Sequence, residues 1–132
     1  MFISNSDLNL LKEKIKCNKS NIERLILHEP NSPNIQLMCI AFKNGNCYPP
    51  IADKEKGSIT FIVLEGKLVI NTYDFLDHHK IESQILFPKE IYKIPRNIYR
   101  ETISISKNET IFFEIIEGPF NPANRVRMKN KN

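Results

Sequence analysis

The spacing of hydrophobic residues changes once along this chain. Near the start, Leu8, Leu11 and Ile15 recur at helical intervals, with Lys12, Glu13, Lys14 and Lys16 around them. That pattern predicts one amphipathic helix over roughly residues 5 to 17, opened by a capping box of Ser4 with Asp7. After it come short runs rich in Ile, Val, Phe, Tyr and Thr: RLILH, IQLMCIAF, SITFIVLEG, KLVINTYD, SQILFP, IYKIP, RETISIS and TIFFEIIEG. Turn residues divide them, including Pro30–Pro33, Lys43-Asn44-Gly45-Asn46, Glu65-Gly66, Asp77-His78-His79 and Lys107-Asn108-Glu109. Such a succession predicts an all-β sandwich or barrel. Stretches such as ITFIVL are apolar on both faces, as expected of a two-layer sheet with one outer face covered by the helix or by a second subunit. The expected organisation is a helical segment over 1–20, a barrel over 21–120 and an irregular tail over 121–132.

Composition adds limits. A chain of 132 residues, 41% hydrophobic and 26% charged, fits one soluble globular domain that buries about two-thirds of its unfolded surface. The net charge of +4 owes much to the closing RVRMKNKN, read as a solvated tail. Nucleic-acid binding is not expected, because no basic patch with interleaved stacking aromatics and no recognisable module is present. The three cysteines, Cys17, Cys39 and Cys47, form no CxxC pair, so neither a structural zinc nor a disulfide scaffold is suggested. With no signal-peptide pattern at the start and no apolar run of membrane-spanning length, a cytoplasmic protein without membrane insertion is expected. HExxH, a Ser-His-Asp ordering and a glycine-rich phosphate loop are all lacking, and only 4 glycines occur, which argues against a backbone-lined phosphate cradle.

From Gly45 to Pro122 the order of turns and strands resembles the cupin superfamily, and within it the small WbuC-type proteins associated with O-antigen or surface-polysaccharide gene clusters. FFEIIEGPFNP (112–122) is similar to that family's last strand and its ending. FIVLEGKLVI (61–70) resembles the hairpin after the first motif, and IYKIPRNIYRETISI (91–105) resembles the second motif. His28 and Gln36 fall where the family has a histidine and a glutamine. The resemblance implies a cupin-like double-stranded β-helix, or jelly roll, with a short N-terminal helix, and a homodimer.

It also implies where metal ligands would stand, and this chain departs there. The paired histidines match Ile51 and Asp53, the glutamate matches Ile59, and the last histidine matches Arg100. Isoleucine offers no donor atom and a guanidinium repels a cation. A metal-free site with no cofactor is therefore expected.

The side chains then divide between structure and function. Ile59, Phe61 and Val63 share a strand face, either filling the barrel or flooring a pocket. Arg100 would hold a carboxylate or phosphate through its planar fork, or else neutralise Asp53 or Glu114. Tyr48 and Tyr99 would offer hydroxyls and flat surfaces to a sugar ring, or simply pack. His28, Tyr99 and Glu114 are the candidates for proton transfer, and Arg100, Asp53, Tyr48, Tyr99, Glu114 and His28 those for ligand contact. The expected function is metal-free binding of a sugar-derived or anionic small molecule in surface-polysaccharide or sugar metabolism. A metal-free nucleotide-sugar isomerase or epimerase, and a non-catalytic homodimer with a filled barrel, are the alternatives.

Overall fold

A computed structural model of the chain describes residues 2–30, 34–45 and 49–129. The helix α1 spans Asn5–Cys17. The Ser4 side chain accepts the Asp7 backbone N–H, and the Asp7 carboxylate accepts the Ser4 N–H in return, so two of the unpaired donors at the helix start are satisfied. Ten strands follow. They are β1 (Ile22–Ile26), β2 (Ile35–Phe42), β3 (Ile51–Asp53), β4 (Ser58–Glu65), β5 (Leu68–Tyr73), β6 (Lys80–Leu86), β7 (Ile91–Pro95), β8 (Tyr99–Ser104), β9 (Thr110–Glu117) and β10 (Arg125–Arg127).

All the strand pairings are antiparallel, and they form two five-stranded sheets. One has the order β1-β2-β9-β4-β7 and the other β10-β3-β8-β5-β6. This is the all-β arrangement expected from the strand pattern and the jelly roll that the resemblance implies. Between the sheets, the inward residues of alternating strands make one core that includes Ile40, Phe42, Ile59, Phe61, Val63, Leu68, Ile70 and Phe112. The edge-to-face contact of Phe42 with Phe112, at 5.4 Å between centroids, lies inside it. Ile59, Phe61 and Val63 therefore do fill part of the barrel, each at most 1% exposed.

Leu11 and Ile15 are the buried residues of α1. They seal the outer face of the first sheet over Leu27, Cys39, Ala41 and Ile111, which explains why β2 and β9 read as apolar on both faces. Among the described residues the outer face of the second sheet has no such cover: Ile85, Val69 and Ile103 lie opposite one another across β6, β5 and β8, and Ile81 and Ile85 are exposed. Among the described residues, no helix is long and apolar enough to cross a membrane.

The closing segment departs from expectation. Residues 125–127, read as part of an irregular tail, pair with β3 as Arg125↔Asp53, Val126↔Ala52 and Arg127↔Ile51. A 3₁₀ turn at Pro122–Asn124 leads into them, capped by the Asn121 side chain. The segment is basic yet ordered because its first arginine meets a buried carboxylate.

Candidate anion site in the barrel

That carboxylate is Asp53, 2% exposed at the end of β3. Its Oδ1 accepts a hydrogen bond from Arg125 Nε at 3.0 Å. Its Oδ2 lies 3.4 Å from Arg100 Nη2 and 3.5 Å from Arg96 Nε. Burial pushes the Asp53 carboxyl up, but Arg100, Arg125 and Arg96 together overcome this and hold it below the usual aspartate value. One anion thus ties down three cations drawn from β8, β10 and the β7–β8 turn.

Arg96, which is 0% exposed, is fixed from its other end. Its Nη1 donates to the Pro119 carbonyl at 2.6 Å. Two glycines make room for this clasp. Gly57 has φ +126° and a Cβ there would stand 2.0 Å from the Glu117 carbonyl; Gly118 has φ +105° and a Cβ would stand 2.6 Å from the Lys56 carbonyl. Both conformations and both approaches favour glycine.

Arg100 sits between this anchor and open space. It is 3% exposed on β8. Burial draws its guanidinium below the ordinary value, against the opposing effects of Glu114 and Asp53. While Nη2 reaches Asp53, Nη1 is buried without a hydrogen-bond partner among the described residues. A buried, unsatisfied donor on a charged group is expensive, and Arg100 lines a cavity.

The cavity measures about 190 Å³ and opens between β1, β2 and β9 on one side and β3, β8 and β10 on the other. Met38, Ile40, Phe42, Phe112 and Ile116 give it an apolar floor. Arg24, Arg100, Arg125 and Arg127 surround it, together with Gln36, Glu101 and Glu114. Four arginines against two glutamates leave the lining with an excess of positive charge. Glu101 is already engaged, accepting from Asn71 Nδ2 at 3.1 Å and from the Tyr73 hydroxyl at 3.2 Å. The barrel is therefore filled along β4 and open at the end that β10 borders.

The structure sorts the sequence candidates. Arg100, Asp53 and Glu114 do meet: Asp53 braces Arg100 from behind, and Glu114 lines the same cavity as Arg100. Tyr99 follows the two-residue alternation onto the other face of β8. There it stacks on Phe75 at 5.4 Å and meets the His78 ring edge-on at 5.1 Å, and it does not line the cavity. His28 is also elsewhere: its Nδ1 accepts the Leu37 N–H at 3.1 Å and steadies the β1–β2 connection. Tyr48 lies outside the described residues. Sequence reasoning missed Arg24, Arg96, Arg125 and Arg127. Alternation along β1 was a usable signal for Arg24, which shares a face with Ile22. Nothing local marked Arg96 as buried, or the tail arginines as part of a strand.

A metal does not fit the positions that the resemblance assigns to ligands. Ile51 and Ile59 have no donor, both Asp53 oxygens face arginines, and Arg100 brings a fixed cation. Outside the barrel, Asp74, Asp77 and His79 bring donor atoms within 4.8 Å of one another in the hairpin after β5. Asp74 accepts the Leu76 and Asp77 backbone N–H groups and Asp77 bonds the His79 ring, so these side chains already shape the turn.

No protein-family model and no curated protein matches the sequence. Solved structures do match. An oxalate oxidase in complex with glycolate aligns with a TM-score of 0.66 and 18% identity over 84% of this chain and 57% of its own. The Bacillus subtilis oxalate decarboxylase described for its Mn(II) centres aligns at 0.67 and 13%, over 85% of this chain and 29% of its own. The Lactobacillus farciminis oxalate decarboxylase formate complex aligns at 0.66 and 10%, over 84% and 32%. This chain thus spans little more than half the oxidase chain and about a third of the decarboxylase chains. At such identities the likeness establishes the fold alone: a cupin jelly roll.

Proposed function

We propose that this protein binds a small organic anion in the arginine-lined end of its barrel, without a metal. The observation that carries the reading is Arg100: a cavity-lining residue, buried, braced by Asp53, whose Nη1 has no hydrogen-bond partner among the described residues. A guanidinium fixed in this way has little freedom left to lose when it takes a carboxylate or phosphate. The glycolate and formate complexes of the oxalate oxidase and decarboxylase support small carboxylates as the class to try first. A sugar-derived acid, in sugar or surface-polysaccharide metabolism, is the finer form of the proposal.

Size speaks against the nucleotide-sugar alternative. The cavity, at about 190 Å³, is smaller than the roughly 300–1,000 Å³ typical of pockets that enclose drug-sized ligands. Of the three proton-transfer candidates, only Glu114 faces it. A thermal-shift panel tests the reading by comparing sugar acids, neutral sugars, nucleotide sugars and divalent metals. Stabilisation by acids, weakened in Arg100→Gln, is the expected result; stabilisation by metals alone would overturn it.

We also propose a homodimer that covers the outer face of the second sheet around Ile81, Ile85, Val69 and Ile103. Light scattering at micromolar concentration is expected to give twice the chain mass, and a stable monomer would remove this part of the proposal.

A further inference from the structure

Strand register lines up two arginines across the cavity wall. Arg127 on β10 lies opposite Ile51 on β3, and Ile51 lies opposite Arg100 on β8. Directly opposed residues share a face, and all three line the cavity. Two interstrand steps separate the arginine backbones by about 10 Å.

Neither end is fully used by the protein. Arg100 Nη1 is buried without a hydrogen-bond partner among the described residues. Arg127 is exposed at the mouth, and no described residue forms a hydrogen bond or ion pair with its side chain. Arg125, between them in charge though not in register, is bound to Asp53. Asp53 is already shared among Arg96, Arg100 and Arg125. A ligand with one negative charge would answer Arg100 or Arg127 and leave the other without a counter-charge. Between the two cationic ends, Ile51 offers an apolar surface facing Met38, Ile40 and Phe112.

We infer that the site takes a dianion in which a short apolar spacer joins two acid groups. One group lies on Arg100, the spacer crosses Ile51, and the other group lies on Arg127. This rests on the anion-binding reading above and narrows it. It makes Arg127, and with it the closing strand, the determinant of ligand charge. The second group is a carboxylate or a phosphoryl group, since a guanidinium fork suits both.

Titration calorimetry on the full chain decides the matter. The probes are malonate, succinate, glutarate and adipate, each matched to the monocarboxylate of equal chain length, with phosphonoacetate in parallel. One dianion is expected to bind about tenfold more tightly than its matched monoanion, the scale of one charge-assisted contact. The better of the diacid and phosphonate arms identifies the second group. Arg127→Gln alters an exposed side chain and is expected to bring the ratio of dianion to monoanion affinity down toward one. Equal affinity for mono- and dianions in the unmodified protein would overturn the inference and leave the anion site standing. Equal loss of both classes in Arg127→Gln would also overturn it, as a general field effect. Binding of none of the probes would overturn the anion-binding reading and this inference together.

Discussion

Arg100 divides its guanidinium between two environments: Nη2 lies 3.4 Å from the buried Asp53 carboxylate, and Nη1 has no hydrogen-bond partner among the described residues. The first contact makes burial of the cation tolerable, and the second makes it available. Four consequences can be measured.

Asp53 compensates three arginines, so its neutral isostere removes the one charge that holds them together. Asp53→Asn is expected to lower unfolding free energy by about 3–5 kcal/mol, the usual cost of breaking a buried ion network from one side. Urea denaturation of the variant and the parent checks this.

The same carboxylate gives stability a direction in pH. Its folded pKa is depressed, so its contribution is present above the unfolded value of about 3.9 and is lost as pH falls through the lower folded one. Denaturation midpoints compared at pH 6 and pH 3 should fall in the parent. In Asp53→Asn the fall should be smaller, because that proton uptake is absent.

Gly57 stands where the backbone is left-handed and a Cβ would meet the Glu117 carbonyl at 2.0 Å. Gly57→Ala is expected to cost at least about 2 kcal/mol through backbone strain and displacement of the Arg96 clasp. Thermal unfolding measures it. An unchanged midpoint would show that the clasp has slack.

Tyr99 is buried against Phe75 and His78, away from the cavity. Tyr99→Phe keeps the ring and removes the hydroxyl, so anion affinity in calorimetry should stay within about twofold of the parent, well under the tenfold that about 1.4 kcal/mol represents. A large loss would bring the hydroxyl back into the site.

Much of the fold was legible because patterning acts locally. The capping box, the helical spacing of Leu11 and Ile15, and β-branched runs such as SITFIVLE each specify an element without help from distant residues. The strands β3 and β10 were not legible, since three residues carry too little alternation to stand out. They exist because Asp53 and Arg125 meet across 72 positions of sequence. The site divides in the same way. Arg100 stood out because it replaces a ligand in a resembling motif. Arg96 looked like any cation in a turn, and Arg127 like any cation in a tail; only the register of β10 on β3 brings Arg127 to the cavity. Tyr99, one residue from Arg100, illustrates the period of two: adjacent strand residues serve opposite faces.

The central claim is that Arg100 makes the open end of the barrel an anion site. The most direct measurement is calorimetric titration of glucuronate and of glucose into the parent, Arg100→Gln and Arg100→Lys, with circular dichroism to confirm that each variant is folded. The account predicts that glucuronate binds the parent and glucose does not. Affinity should fall about tenfold or more in Arg100→Gln and be partly kept in Arg100→Lys, where the charge survives without the planar fork. Equal binding of acid and neutral sugar, or glucuronate affinity unchanged in a folded Arg100→Gln, would contradict it.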